Sequence, residues 1–186
     1  MEQLISVILG ISLASAVGFR VFIPFLIVSV AAYFGYFELN ENWQWIGGMP
    51  AILTFAIATI VEIFAYFIPF VDNLLDTIAV PIAGIAGSAI MLSTIGEFDP
   101  LITYSLAILA GGGTAALVKS ATSTSRLASS TFTAGLANPV VSATESGLSS
   151  VLSLSAIFVP ILAIILVISI LFLMYKLYTK TKKVIR

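Results

Sequence analysis

The chain has 186 residues, 60% of them hydrophobic and only 9% charged, with a formal net charge of −1. Soluble domains carry about 25% charged residues, and the mean hydropathy here is +1.14, so the composition is that of an integral membrane protein. The lack of cysteine and histidine removes disulfide scaffolds, ordinary zinc, haem and iron–sulfur ligation and the usual general base, and the near-zero charge gives no case for a nucleic-acid partner.

A bilayer-spanning helix needs about 20 mainly apolar residues. The first apolar block, Leu4 to Phe37, is too long for one crossing and short for two. Gly18-Phe19-Arg20 interrupts it, with Pro24 just after. The pattern predicts two helices, about 4–17 and 22–37, joined at the arginine as a hairpin or a re-entrant pair. The Met-Glu-Gln start lacks a basic region and the block continues through Arg20, which argues against a cleaved signal peptide. The polar loop Glu38 to Pro50 carries Trp43 and Trp45, residues that favour the membrane–water interface. Ala51 to Phe70 predicts a span with Glu62 in its middle. A turn is expected at Asp72–Asp76, followed by a small-residue apolar run from Pro81 to Ile95 and a second turn at Gly96–Pro100. Leu101 to Val118 contains Gly111-Gly112-Gly113, and Pro69 to Pro81 and this glycine run are expected to supply non-helical backbone. Residues 120–150 are built largely of Ser, Thr, Ala and Gly, with Arg126, Asn138-Pro139 and Glu145 among them. Val151 to Tyr178 reads as a transmembrane helix kinked at Pro160.

The tail 176–186 holds Lys176, Lys180, Lys182, Lys183 and Arg186 and predicts a cytoplasmic C-terminus. Loops 38–50 and 96–100 hold Glu38, Glu41, Glu97 and Asp99 without a basic residue and fit the outer face. The expected fold is a single all-α membrane domain, 1–186, of about six transmembrane or re-entrant helices, several of them short or broken. Each half also offers an apolar helix, an arginine at a break and a later proline motif with a carboxylate, a pattern that would suit two repeats, 4–95 and 101–175, inverted to one another.

Ionisable residues inside a membrane cost about 2.5–3.5 kcal/mol each on insertion scales and mark either function or structural pairing. Arg20, Lys119, Arg126 and Asn138 are the candidate substrate-binding residues, and Glu62, Asp72, Asp76 and Glu145 the candidates for ion or proton coupling. Asp72 and Asp76 share a face if that stretch is helical. Such a pair calls for a cation such as Mg²⁺, a proton, or a salt bridge to Arg20 or Arg126. Lys119 and Arg126 lie seven apart with hydroxyls between them, the best anion-binding pattern in the chain. Ser142, Glu145, Ser146 and Ser149, with Asn138 a turn earlier, form a polar stripe that must face protein or a water-filled cavity. Small hydroxyl residues also let helices pack closely, and Gly10, Ala14 and Gly18 read as packing alone.

Gly-Phe-Arg near the start, Val-Asp-Asn-Leu-Leu-Asp in the middle, and Lys119, Arg126, Asn138-Pro139, Ser142 and Glu145 resemble a family of small bacterial membrane proteins, domain of unknown function 4126, over about residues 4–175. The resemblance implies several helices in a bacterial inner (plasma) membrane and brings no activity with it. It also implies a histidine near the second-half lysine, which this chain lacks, so no obligatory histidine chemistry carries over. The charged set itself favours a transporter or channel-like protein for a small anionic solute, with the lipid bilayer as partner. No Walker-type loop points to an ATPase. Two alternatives stand: an intramembrane enzyme acting on a lipid or isoprenoid phosphate with Mg²⁺ at Asp72 and Asp76, and a non-catalytic assembly or scaffold protein. A chain this small lines a site alone only if most of its helices contribute; a dimer or trimer is the other arrangement open to it.

Overall fold

Apolar runs with few backbone breakers become helices, and in the computed structural model no strand occurs among the described residues. These are residues 1–133 and 135–184, with side chains described at all of them except 69, 70, 72–74, 132, 177, 178 and 180–184. Helix α1 (Glu2–Phe19) ends where Arg20 turns extended, and α2 (Phe22–Tyr33) starts after Val21. A 3₁₀ segment (Glu41–Gly47) leads through a 65° bend into α3 (Met49–Ala65). Helix α4 (Pro69–Thr94) follows. Next, α5 (Pro100–Ser105), a π-helical stretch (Leu106–Gly112) and α6 (Gly113–Thr133) form one rod. The chain closes with α7 (Asn138–Phe158) and α8 (Pro160–Val184).

α1, the Leu75–Thr94 part of α4, the Pro100–Thr131 rod and α7 are each long and apolar enough to cross a membrane, and the bent pair ending in α3 makes a fifth. The chain is a polytopic, all-α membrane protein.

Several local expectations are corrected. The turn expected at Asp72–Asp76 lies earlier, at Tyr66–Ile68, where Phe67 and Ile68 N–H reach back only three residues; both aspartates fall in the first turns of α4. Pro69 starts α4, since proline suits a first helical turn, and Pro81 sits inside that helix instead of ending it. The block Val151–Tyr178 is divided. The residue before a proline disfavours helical backbone, and Val159 accordingly stops α7 one residue before α8 begins. Gly111 and Gly112 are not unwound: they widen the helix into its π-helical turn. Arg126 lies inside continuous α6, not at a break as Arg20 does.

The N-terminus, both acidic loops and the far ends of α4 and α7 meet at one face. Gln3 Nε2 donates to Glu97 O (2.9 Å), Asn40 N–H to Ser93 O (3.0 Å), and the Tyr36 ring meets Phe158 at 6.0 Å. From that face the helices run alternately away and back, so α8 points to the opposite side. Helix α1, 18 residues, is about 27 Å long, and α2, 12 residues, about 18 Å. α2 is therefore too short for a hydrocarbon layer of about 30 Å, and the α1–α2 junction is held at depth in the bundle. α6 continues to Thr133, about 10 Å beyond Arg126.

α1 is the central helix. It is buried over most of Leu9–Phe19 and packs against α4, α6, α7 and α8. A helix lined by small or apolar residues on all sides has no face to give to water. Its interior hydroxyls are satisfied locally: Ser12 donates to Ile8 O (2.8 Å) and Ser15 to Ile11 O (2.9 Å). The same device carries the hydroxyl-rich region through the bundle. In α6 and α7, Ser120, Thr124, Ser125, Thr144, Ser146, Ser150 and Ser153 each donate to the carbonyl four residues back at 2.7–3.0 Å. Close crossings depend on glycine: a Cβ on Gly87 would lie 2.4 Å from Ala115 Cβ, and one on Gly18 2.5 Å from Val118 Cβ.

Candidate functional site

Three chain breaks lie at the end of the bundle away from the acidic loops: Arg20–Val21, Tyr66–Ile68 and residues 135–137. Beside them the structure collects the buried cations. Arg20, Arg126 and Lys119 are 0%, 1% and 2% exposed, and all three stand over the ring of Tyr66, at 4.2, 4.4 and 4.8 Å from its centroid. Lys119 Nζ also donates to the Tyr66 hydroxyl (2.9 Å). A desolvated cation over an aromatic face is worth about 2 kcal/mol or more, so the ring is the hub that lets three positive charges share a small volume.

Carboxylates complete the cluster. Arg126 makes a forked contact with Glu145, Nε to Oε1 at 3.0 Å and Nη2 to Oε2. Oε2 also lies 3.7 Å from Arg20 Nη2, so Glu145 answers both guanidiniums. Arg20 Nη2 further donates to the carbonyl of Ser142 (3.1 Å) and to its hydroxyl. Asp76 Oδ1 lies 3.8 Å from Lys119 Nζ and accepts from Ser123 (3.3 Å). The side chain of Asp72 lies outside the described residues. Among the described residues, no group of three or more histidine, cysteine or acidic side chains is placed to hold a metal ion.

Glu62 turns to the backbone at the α1–α2 break. Its two oxygens accept the backbone N–H groups of Val21 (2.8 Å) and Phe22 (3.1 Å). Those are orphan donors at the start of α2, where a negative charge also meets the positive end of the helix dipole. Glu62 thus ties α3 to the α1–α2 break.

Of the polar stripe on α7, Ser142 and Glu145 face the arginines and Ser149 donates to Ala16 O of α1 (2.9 Å). Asn138 sits a turn away and donates to Ser130 Oγ (3.0 Å). Its side chain serves the α6–α7 junction. Two donors stand out. Among the described residues, Arg20 Nε and Nη1 are buried and have no hydrogen-bond acceptor. An unmet buried donor costs about 1–3 kcal/mol, more on a charged group, so these are the open positions of the cluster.

Tyr66 is the residue that sequence reasoning missed. Its signal was present: Thr59, Glu62 and Tyr66 form a polar stripe on an otherwise apolar helix, and all three are buried. A cleft of about 600 Å³ reaches the cluster sideways, between α3 and α4, and ends on Glu62, Tyr66 and Lys119. At the opposite face a wider vestibule of about 1520 Å³ is lined by Glu2, Glu38, Glu41 and Glu97.

No curated protein and no solved structure matches the chain. Residues 7–180 match the family described as Domain of unknown function (DUF4126), and the chain belongs to that family.

Proposed function

We propose that this protein is a transporter or channel-like protein for a small anionic solute, bound at Arg20 with Lys119 and Arg126 near it. The observation that carries the reading is Arg20 itself: a fully buried guanidinium with two donors that no described residue meets, at the helix break that ends α1. Helix breaks that bring backbone ends to a bound solute are a recurring transporter design. Glu145 already balances Arg126, and Asp76 faces Lys119. The site therefore holds an anion through Arg20 without carrying a large uncompensated charge when empty. Asp76 and Glu145 are the groups that would exchange partners as the anion enters, and so are the candidates for coupling.

The basic tail and the positive-inside rule assign α8's end to the cytoplasm of a bacterial cell and the vestibule to the outside. The vestibule's carboxylates repel anions, which favours loading of the site from elsewhere.

Proteoliposomes carrying the purified protein, loaded in turn with chloride, acetate and inorganic phosphate, test the reading. At least one anion should leak faster than from empty vesicles, and Arg20→Gln should abolish the difference. No flux for any of the three, or flux indifferent to Arg20→Gln, rejects it. One observation favours a scaffold instead: the forked Arg126–Glu145 pair is the geometry of a structural clamp. Full rescue of cellular function by the swap of Arg126→Glu with Glu145→Arg would support that second reading.

A further inference from the structure

The carboxylates around Arg20 are held in two different ways. Glu145 pairs with Arg126 and Arg20, and Asp76 with Lys119. Glu62 is in no ion pair among the described residues, and its oxygens accept the amides of Val21 (2.8 Å) and Phe22 (3.1 Å) instead. Those amides directly follow Arg20, and they are the donors that a helix start leaves open to an anion. α2 has no capping side chain of its own. Glu62 therefore fills backbone donors next to a guanidinium that is 0% exposed and keeps two donors that no described residue meets. Glu62 lies one turn before Tyr66 on α3, and the Arg20 guanidinium stands over that ring. It also lines the cleft between α3 and α4, whereas Asp76 and Glu145 do not.

Few charged or titratable groups face Glu62. Arg20 at the break and Lys119 of α6 act on it, and Tyr66 is on its own helix. Asp76 of α4 is held by Lys119, and Glu145 of α7 by the two guanidiniums. α2 brings only Tyr33, at its far end. A proton on Asp76 or Glu145 would take a counter-charge from a buried cation, which is costly; a proton on Glu62 frees two amides and breaks no ion pair. An anion entering beside Arg20 adds negative charge to a buried volume, and a proton taken up with it offsets that charge.

From this arrangement we propose that Glu62 is the proton site of the protein: an anion binds at Arg20 together with one proton, which Glu62 takes up as it gives the amides of Val21 and Phe22 to the anion. This rests on the anion reading above and deepens it by naming what the anion travels with. The proton adds to a carboxylate oxygen, and only hydrogen bonds break. Asp76 and Glu145 keep their charge and move between cations.

Two measurements on the full-length protein in phosphatidylcholine nanodiscs test it, from about pH 8 to about pH 5. The first is equilibrium binding of chloride, nitrate and sulfate, none of which takes up a proton in this range. At least one should bind, with an affinity that rises about tenfold for each unit the pH falls, one proton per anion, and levels off once Glu62 is protonated in the empty protein. Glu62→Gln should bind the same probe with no pH dependence. The second is amide hydrogen exchange without any anion. Val21 and Phe22, corrected for the intrinsic pH dependence of exchange, should lose at least tenfold in protection as the pH falls, and show no such change in Glu62→Gln. If that variant does not fold, Glu62→Asp, which keeps a titrating group of shorter reach, should displace the midpoint of both profiles. Protection that does not change with pH, pH-dependent binding that survives Glu62→Gln, or a midpoint unmoved by Glu62→Asp overturns the proposal; anion binding that still depends on Arg20 then leaves the transport reading standing. If none of the three probes binds, the proposal falls, and the vesicle flux of chloride, acetate and inorganic phosphate decides whether the anion reading falls with it.

Discussion

Glu145 touches two guanidiniums with one carboxylate, and its removal takes that shared counter-charge from both. Breaking a buried pair from one side costs about 3–5 kcal/mol, whereas replacing both partners with apolar groups is often near neutral. Glu145→Gln should therefore lower unfolding stability in detergent by several kcal/mol, and Arg126→Met with Glu145→Leu should recover part of that loss. Losses that simply add would show that the two side chains do not act as a pair. Tyr66 is tested in the same way. Tyr66→Phe removes one hydrogen bond to Lys119, about 0.5–1.5 kcal/mol, but keeps the ring under three cations. Tyr66→Leu removes the ring as well and should be the worse variant by about 2 kcal/mol; equal melting temperatures would mean that the ring face contributes nothing. The charged members of the cluster were legible in the sequence because an ionisable residue in an apolar run announces itself. Their pairing was not. Nothing in the spacing says that Glu62 turns to the start of α2, or that Tyr66, a residue at home in any membrane protein, stands at the centre.

At the scale of the helices, breaks were easier to read than continuity. The α1–α2 junction was legible from Gly18-Phe19-Arg20, and the 96–100 turn from its composition. Pro81 and the glycine run misled because both are breakers in isolation. Inside a packed bundle neighbouring helices hold the strand of chain in place, and glycine is there for access, not for freedom. Gly87 and Gly111 touch backbone to backbone: a Cβ on Gly87 would meet Ala115 Cβ at 2.4 Å and Gly111 O at 2.8 Å. Gly87→Ala should accordingly force α4 off the π-helical stretch and cost about 1–3 kcal/mol, as overpacking does. Gly113 is helical too, but a Cβ there meets nothing within 4 Å. Gly113→Ala should stabilise by about 0.5–1 kcal/mol, the difference in helix preference. Thermal unfolding of the two variants side by side checks this; a loss in both would show that the space around Gly113 is needed for something the static packing does not reveal. The 120–150 segment is built largely of Ser, Thr, Ala and Gly, and whether it crosses or re-enters was not legible in its composition. It becomes helix because its side chains return their hydrogen bonds to their own backbone.

For the whole molecule, the two ends differ in charge, and that asymmetry is a statement about orientation. One end gathers Glu2, Glu38, Glu41 and Glu97 around the vestibule. The other end is where α8 leads into the basic tail, and it also holds the buried cation cluster. The sign of each end was legible from loop composition; that the N-terminus shares the acidic end was not, because the first apolar block could cross twice or re-enter. The hydrogen bond from Gln3 to Glu97 decides it geometrically. The natural absence of cysteine makes the resulting topology directly measurable, since one introduced thiol is the only one in the chain. Gln44→Cys, in the vestibule wall, should react with a membrane-impermeant maleimide added outside intact cells, and Thr179→Cys, near the end of α8, only after the membrane is opened. The reverse pattern would place the basic end outside and contradict the positive-inside rule for this chain. Labelling of both from one side would contradict the alternation of the helices itself. With the orientation known, the vestibule's charge becomes a testable barrier. Replacing Glu38, Glu41 and Glu97 with Gln should raise anion entry from that side in proteoliposomes, by a factor that shrinks as salt is added and the Debye length falls from about 30 Å at 0.01 M to about 10 Å at 0.1 M. A change that does not depend on salt would come from altered packing of the vestibule and not from its field.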